Sequence, residues 1–523
     1  MNSWLAMLIG FVAVLVVIAA IGWWSGRKVK TEEDFAAGSG KAGTLIVTGT
    51  IMGTLVSGQA TLGTAQLAFS FGISAWWFTL GSGIGCLVLA LLYVTRMRAT
   101  HKTTLVGVIV EEYGTTIDYA ASIFSTIGIF ISMVAQMIAA SALITALTPL
   151  PLLAATLLSA CLMACYVIFG GVWGTGIAGI AKLILLYAAC IVGGSVALWL
   201  GNGPSGIMGS ISTLFCSTEV GSLHTLTQPE AIDATFLSLV ARGPLHDLGS
   251  ALALVLGVIS TQSYASAVWS AKSNVCAKRG ALLSAFLIPP IGAACIVIGL
   301  YMRGTCLTAD EAAALISLGN TLPDGMLILE NTAQVFPQFI IHCLPPLFSG
   351  VALGTLFVTI VGGGAGLALG AATVVVQDLL GRLTTKIQWA KVKLALIRIV
   401  IALLLFAAVL CSLALPNTMI NDLGFLSMGL RGAVIFIPFT FALYAAGKVS
   451  GFWANIAVFA GPLAVLGGNA GGLPFDPLFV GIAASVAIML IGVIAHIIKR
   501  AHETSELNPD SGTGNKSFQS HLF

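Results

Sequence analysis

Apolar runs of about 20 residues, each long enough to cross the hydrocarbon of a bilayer, recur along almost the whole chain. Composition agrees. Of 523 residues 58% are apolar and only 8% charged, with a mean hydropathy of +1.01, whereas a soluble domain carries about a quarter charged residues. Length alone suggests several domains, but no charged or Pro-rich linker divides the chain. It reads as one all-α integral membrane protein, and its 60 glycines suit helices that pack closely or break locally.

About thirteen spans are expected, near residues 3–24, 44–71, 75–95, 117–147, 150–170, 173–200, 248–270, 281–302, 338–379, 394–415, 420–446, 452–471 and 475–498. The 338–379 stretch is too long for one straight span and should be broken or partly at the surface. The first run, Trp4 to Trp24, lacks a basic start and a small-residue cleavage site, so it reads as a retained span rather than a signal peptide. With the N-terminus outside, 19 of the 23 Lys and Arg fall on the cytoplasmic side, including Arg27, Lys28, Arg96, Arg98, Lys278, Arg279 and Arg382. Only Arg242 and Arg303 lie outside, and Lys182 and Arg431 fall inside spans. The C-terminus is then cytoplasmic.

The expected layout is an N-terminal span and loop (1–43), a core of ten spans (44–446), two C-terminal spans (447–500) and a disordered polar tail (501–523). An outside loop, 201–247, should cap the outer face. Ten cysteines are scattered with no CxxC pair, so neither a metal site nor a cofactor is expected. Cys216 and Cys306 both fall in outside loops, and two free thiols are expected there rather than a bridge. An enzyme would need clustered nucleophiles, bases or metal ligands, and the spans hold none.

The second span interleaves Gly49, Gly53, Gly58 and Gly63 with Ser57, Gln59, Thr61 and Thr64. Two readings stand. Glycine is costly inside a helix, so the stretch could be a broken helix lining a cavity. Equally, Gly49, Gly53 and Gly58 could serve tight helix packing. The ninth span carries Gly362, Gly363, Gly364, Gly366 and Gly370, then Asp378. No strand precedes this run and no Lys-Ser or Lys-Thr follows, so it is not a phosphate loop, and no nucleic-acid partner is expected. Gln66, Gln136, Tyr264, Trp269 and His342 are lesser polar candidates.

Several blocks are similar to the sodium:solute symporter family, whose members carry proline, pantothenate, sugars and monocarboxylates. They are Gly26-Arg27-Lys28 with Glu33-Asp34-Phe35-Ala36-Ala37-Gly38; Ser57-Gly58; Gly72-Ile73-Ser74-Ala75-Trp76-Trp77; Gly170-Gly171-Val172-Trp173-Gly174; Thr261-Gln262 with Ala277-Lys278-Arg279-Gly280; and Gln377-Asp378-Leu379. Their order and spacing carry the resemblance from about residue 10 to 450. It implies an inverted-repeat, leucine-transporter-like core in which five spans (44–200) mirror five more (248–446). Substrate would bind at mid-membrane beside broken second and seventh spans.

The departures matter more. The family's sodium ion is usually held by two adjacent hydroxyls sixteen and fifteen residues before Asp378, and here those positions are Gly362 and Gly363. Sodium wants several oxygen ligands, and glycine supplies no side-chain oxygen. The sixth-span Asp of many relatives is Gly179, the usual Gln three residues on is Lys182, and the second-span acid of proline carriers is Leu55. A charge at the depth of Lys182 must face the bundle interior.

The expectation is therefore a secondary transporter importing a small organic solute across the cell membrane, working as a monomer. Its cation is a proton rather than sodium, carried on Lys182, with Gly179, Gly362 and Gly363 framing the coupling site. Ser57, Gln59, Thr61, Gln262 and Arg431 are the candidate solute contacts, and Arg431 with Lys182 points to a carboxylate. The alternatives are a sodium symporter with a non-standard sodium site, or a transporter-like sensor that does not transport.

Overall fold

A computed structural model describes residues 3–26, 40–217, 220–320, 322, 325–380 and 389–506. The Glu33–Gly38 block, Arg382 and the end of the polar tail lie outside the described residues, as does the side chain of Asp378.

The described residues are mostly helical. The chain begins with α1 (Ser3–Gly26), α2 (Thr44–Leu55), a π-helical turn (Gln59–Gly63) and α3 (Thr64–Phe71). Next come α4 (Trp77–Val88), α5 (Val94–Ala99), α6 (Leu105–Tyr113), α7 (Ile117–Leu147) and α8 (Leu152–Leu200). Three shorter helices follow: α9 (Gly203–Ser217), α10 (Val220–Leu223) and α11 (Pro229–Phe236). Then α12 (Pro244–Ile259), α13 (Gln262–Ser270) and α14 (Asn274–Arg303) return to the bundle. A small parallel pair, β1 (Cys306–Thr308) and β2 (Leu327–Leu329), flanks α15 (Ala309–Ser317). The remainder is α16 (Val335–Cys343), α17 (Pro346–Val374), α18 (Trp389–Ala414), α19 (Ile420–Arg431), α20 (Ile437–Tyr444), α21 (Gly451–Ala470) and α22 (Leu478–Glu506).

Among the described residues nine helical stretches are long and apolar enough to cross a membrane, or ten when α12 and α13 count as one span bent by 42°. The expected thirteen are not all recovered. Once the second span breaks, α2 alone is too short to count, and residues 150–170 and 173–200 form the single helix α8. That helix is not straight. Tyr166 and Lys182, sixteen residues and so about 24 Å apart on a straight helix, both reach Gly362 of α17. The two halves of α8 therefore pass α17 side by side. The long 338–379 stretch is split at Leu344-Pro345, where α16 ends and α17 starts on Pro346.

Two spans are broken, the second and the seventh, and they open the two expected repeats. At the first break Val56 turns extended (φ −83°, ψ 93°) between α2 and the π-helical turn. The freed N–H of Gly58 donates to Gln136 Oε1 of α7 (2.9 Å), so the cost of an unpaired backbone group inside the bundle is met by a side chain. At the second break, Ser260-Thr261, the Thr261 hydroxyl donates back to Gly257 O (2.6 Å). The start of α2 is joined to the end of α13: Ala42 N–H donates to Ser270 O and Lys272 N–H to Ala42 O, both 2.9 Å.

Candidate functional site

Small residues decide where Lys182 ends up. A Cβ on Gly179 of α8 would lie 2.5 Å from Gly49 O and 3.7 Å from Gly53 Cα of α2. The two backbones touch, as small residues permit in membranes, and the acid found at this position in relatives has no room. Gly179 is thus a packing contact between α8 and α2. One turn on, Lys182 is buried (2% exposed). Its Nζ donates to Gly53 O, near the end of α2 before the break, and lies 3.5 Å from Thr359 O of α17. A Cβ on Gly362 would sit 2.9 Å from that Nζ. The ammonium occupies the gap between the opened second span and the ninth span. Gly363 faces elsewhere, against Ser57 and Thr54 O, and Gly366 packs on Thr54.

Across the break, polar side chains form one connected set. Gln136 donates from Nε2 to Ser57 Oγ (2.8 Å) and Gln59 Oε1 (3.2 Å), while Gln59 Nε2 reaches Ser132 Oγ (3.3 Å). Ser427 Oγ of α19 lies 3.0 Å from Ser132 Oγ and also donates to Gly128 O. Arg431, fully buried at 0% exposure, closes the set. Its NH1 donates to Thr261 Oγ1 (2.6 Å), its NH2 to Ser427 Oγ (2.9 Å) and Ser132 Oγ (3.4 Å), and its Nε to Ser427 O (3.1 Å). Gly128 of α7 makes room, since a Cβ there would strike the Arg431 side chain at 2.7 Å. All these partners are neutral. The guanidinium therefore spans from α7 and α19 to the break of the seventh span with its charge uncompensated.

Of the expected contacts, Ser57, Gln59 and Arg431 come together at the breaks. Thr61 is buried but bonds its own helix through Ser57 O (2.9 Å). Gln262 turns the other way: its Oε1 accepts from Leu105 N (2.9 Å) and its Nε2 donates to Thr103 O (2.8 Å), pinning α13 to the start of α6. Gln66 bonds Thr332 and the Ile420 N–H. Tyr264 is buried, Trp269 donates to Met97 O, and His342 is exposed at the end of α16. Sequence reasoning missed Ser132 and Ser427. Their signal was helical spacing, because Ser132 and Gln136 lie four apart on α7, as do Ser427 and Arg431 on α19. It also missed Asn421, whose buried amide finds no hydrogen-bond partner beside Gly63. Cys216 and Cys306 are both free thiols, the first exposed and the second buried.

The profile of the Sodium:solute symporter family matches residues 35–463. The uncharacterized symporter YwcA of Bacillus subtilis (strain 168) is 24% identical over 418 residues, which cover 75% of this chain and 74% of that one. Among solved structures, a Na+-coupled sialic acid symporter in a substrate-bound, outward-open state superposes with a TM-score of 0.72 at 16% identity. That match covers 94% of this chain and 98% of the symporter. Mhp1, a nucleobase-cation-symport-1 family transporter, gives 0.52 at 10% identity over 90% and 95% of the two chains. These folds are the leucine-transporter-like architecture, and they belong to transporters, not enzymes. A family match across most of the chain, with breaks in the second and seventh spans, makes this multi-pass membrane protein a member of the sodium:solute symporter family.

Proposed function

We propose that this symporter imports a small organic carboxylate across the cell membrane together with one cation, and that Lys182 carries the coupling charge. The supporting observation is the seat of the ammonium. It lies between Gly53 O, Thr359 O and the bare Gly362, the position at which relatives carry a sodium-binding hydroxyl. A protonated lysine there supplies the charge that sodium supplies elsewhere, and a neutral lysine withdraws it. Loading and releasing one proton can then accompany each solute. The ten-span core, 44–446, working as a monomer, is part of this reading.

The solute reading rests on Arg431. A buried guanidinium bonded only to hydroxyls, a backbone oxygen and the Met428 sulfur is matched by a carboxylate, which can accept two of its N–H groups at once. Ser57, Gln59 and Gln136 stand on the other side of Ser132 to receive the solute's neutral polar groups.

A second reading has its own support. The family is named for sodium, and the sialic acid symporter with the matching fold is Na+-coupled and reveals a novel Na+-site. In that reading sodium binds away from Gly362 and Gly363, and Lys182 is a fixed charge. The comparisons weigh for sodium and the seat of Lys182 weighs for a proton. Uptake of labelled short carboxylates by purified protein in liposomes separates them. Accumulation driven by an imposed pH gradient without sodium supports the proton reading. Strict sodium dependence, or full pH-driven uptake by Lys182→Ala, overturns it, and no uptake of any solute leaves the protein a sensor.

A further inference from the structure

Gly362 is where α17 meets both passes of α8. A Cβ built on it would lie 2.9 Å from Lys182 Nζ and 3.7 Å from the Tyr166 hydroxyl. The phenol and the ammonium therefore border the same small space, one that any side chain at 362 would fill. A second contact agrees. Tyr166 packs with Ala181 and Leu185, which flank Lys182, on one apolar cluster of Val14, Ile18 and Val358.

The helices that meet Lys182 or Tyr166 in these contacts are α1, α2 and α17, and none of the three contains an Asp, Glu, His, Cys, Tyr, Lys or Arg. Of the other helices packed on α8, α7 carries Asp118 and Tyr119, α14 carries Cys276, Lys278, Arg279, Cys295, Tyr301 and Arg303, and α18 carries Lys391, Lys393, Arg398 and Cys411; among the described residues none of these is bonded to Lys182. On the first pass of α8, Cys161 and Cys165 are exposed on the outer surface of the bundle. Among the described residues, Tyr166 is an ionisable side chain whose oxygen borders the seat at Gly362. An ammonium has three N–H donors, and the two backbone oxygens of Gly53 and Thr359 account for two.

We propose that Tyr166 is a positioning residue for Lys182: its hydroxyl oxygen accepts the third N–H of the charged ammonium and holds it at the mouth of the break. When the lysine is neutral the phenol turns away and the amine loses its hold on Gly53 O. The missing hydroxyl of the ninth span is in this way replaced from the fifth, by a longer side chain reaching over a glycine. This role rests on Lys182 being charged in one state of the cycle, so its test must not depend on transport.

The test uses the full-length protein in detergent, without solute or gradient, and reads melting temperature between pH 5 and 10. Four proteins are compared: wild type, Tyr166→Phe, Lys182→Met and the double variant. Tyr166→Phe removes one oxygen and keeps the ring that packs on Val14 and Ile18. A pH step in the wild-type melting temperature is expected, absent in Lys182→Met and displaced by about one pH unit in Tyr166→Phe, with no further change in the double variant. Equal effects of Tyr166→Phe in both backgrounds, or a step that does not move, overturn the proposal. Should Tyr166→Phe melt too low to follow, Tyr166→Leu, which also removes the acceptor, is read in the same cycle, with the same two outcomes. Loss of the proton reading would appear in liposome uptake and leave this cycle intact, so the two failures are distinguishable.

Discussion

Lys182 Nζ donates to the carbonyl oxygen of Gly53, which makes α2, the first half of the broken second span, a direct partner of the lysine on α8. The contact exists because Gly179 lets α8 lie against Gly49 and Gly53. The proposed solute and cation contacts are therefore the two sides of one break, with Ser57 and Gln59 on one side and Gly53 on the other. An anion on Arg431 and a positive charge on Lys182 favour each other, and that coupling is reciprocal.

Removing the ammonium should uncouple transport without abolishing solute binding. Lys182→Met keeps the apolar stem and deletes the charge. Uptake against a gradient should fall at least tenfold, while exchange of labelled for unlabelled solute across liposomes persists. Equal loss of both activities would instead mark Lys182 as structural.

Arg431→Gln should weaken carboxylate binding. A hydrogen bond to a charged group is worth about 1.5–3 kcal/mol, so KM for a carboxylate solute should rise roughly 10–100-fold. An uncharged amide of the same solute, a poor ligand of wild type, should lose little. Equal loss for acid and amide would remove the solute from the guanidinium.

Much of this was legible in the sequence, and the misses have physical reasons. Runs of apolar residues declare spans directly, and Lys182 and Arg431 stood out because bilayer interiors penalise charge. Which glycines break a helix and which pack it was not legible, since both uses need the same residue. Gly58 does both, since it lies at a break and Ala139 of α7 fills its missing Cβ, while Gly179 and Gly363 lie inside helices and serve packing alone. Gln262 lies beside a break yet turns to the α6 loop. Local sequence does not say which way a side chain turns. Ser132 and Tyr166 were invisible for the opposite reason: a serine or tyrosine in a span is common, and only the helices that arrive beside it give it a role.

The glycine contacts make a packing prediction. A Cβ on Gly363 would press into the Ser57 side chain, next to the backbone and unable to swing away. At Gly362 the obstacle is the far end of a flexible lysine. Overpacking costs about 1–3 kcal/mol, so Gly363→Ala should lower the melting temperature by several degrees. Gly362→Ala should leave melting nearly unchanged but disturb coupling. Thermal unfolding of both, beside pH-driven uptake, checks the pair, and the reverse ranking would contradict these contacts.

Beside the small parallel pair, Glu311 of α15 makes the clearest pH prediction. Arg303 is buried at 3% exposure, with its guanidinium over the rings of Phe69 and Phe215, and it binds Glu311 through two bonds of 3.0 and 2.6 Å. His224 lies 2.6 Å from the same carboxylate, and the Thr308 N–H lies 2.9 Å away. Burial alone would push the Glu311 carboxyl up. The bonds from His224 and Arg303, with the charge of Arg303 and the Thr308 N–H, outweigh it and hold the group well below the usual carboxylate range. A carboxyl held low in the folded state stabilises fully above its unfolded value of about 4.3. That stability is lost as pH falls below this value towards the folded one. The melting temperature of wild type minus that of Glu311→Gln should therefore be positive and flat from pH 7 to 5, then shrink in stronger acid. At neutral pH the variant strands a buried cation, a loss of about 3–5 kcal/mol. Because Arg303 stacks on Phe69 near the end of α3 and on Phe215 of α9, Glu311→Gln should also loosen the short helices beside it, read as faster proteolysis of residues 203–236. A difference that stays constant down to pH 3 would mean that the carboxylate contributes through shape rather than charge.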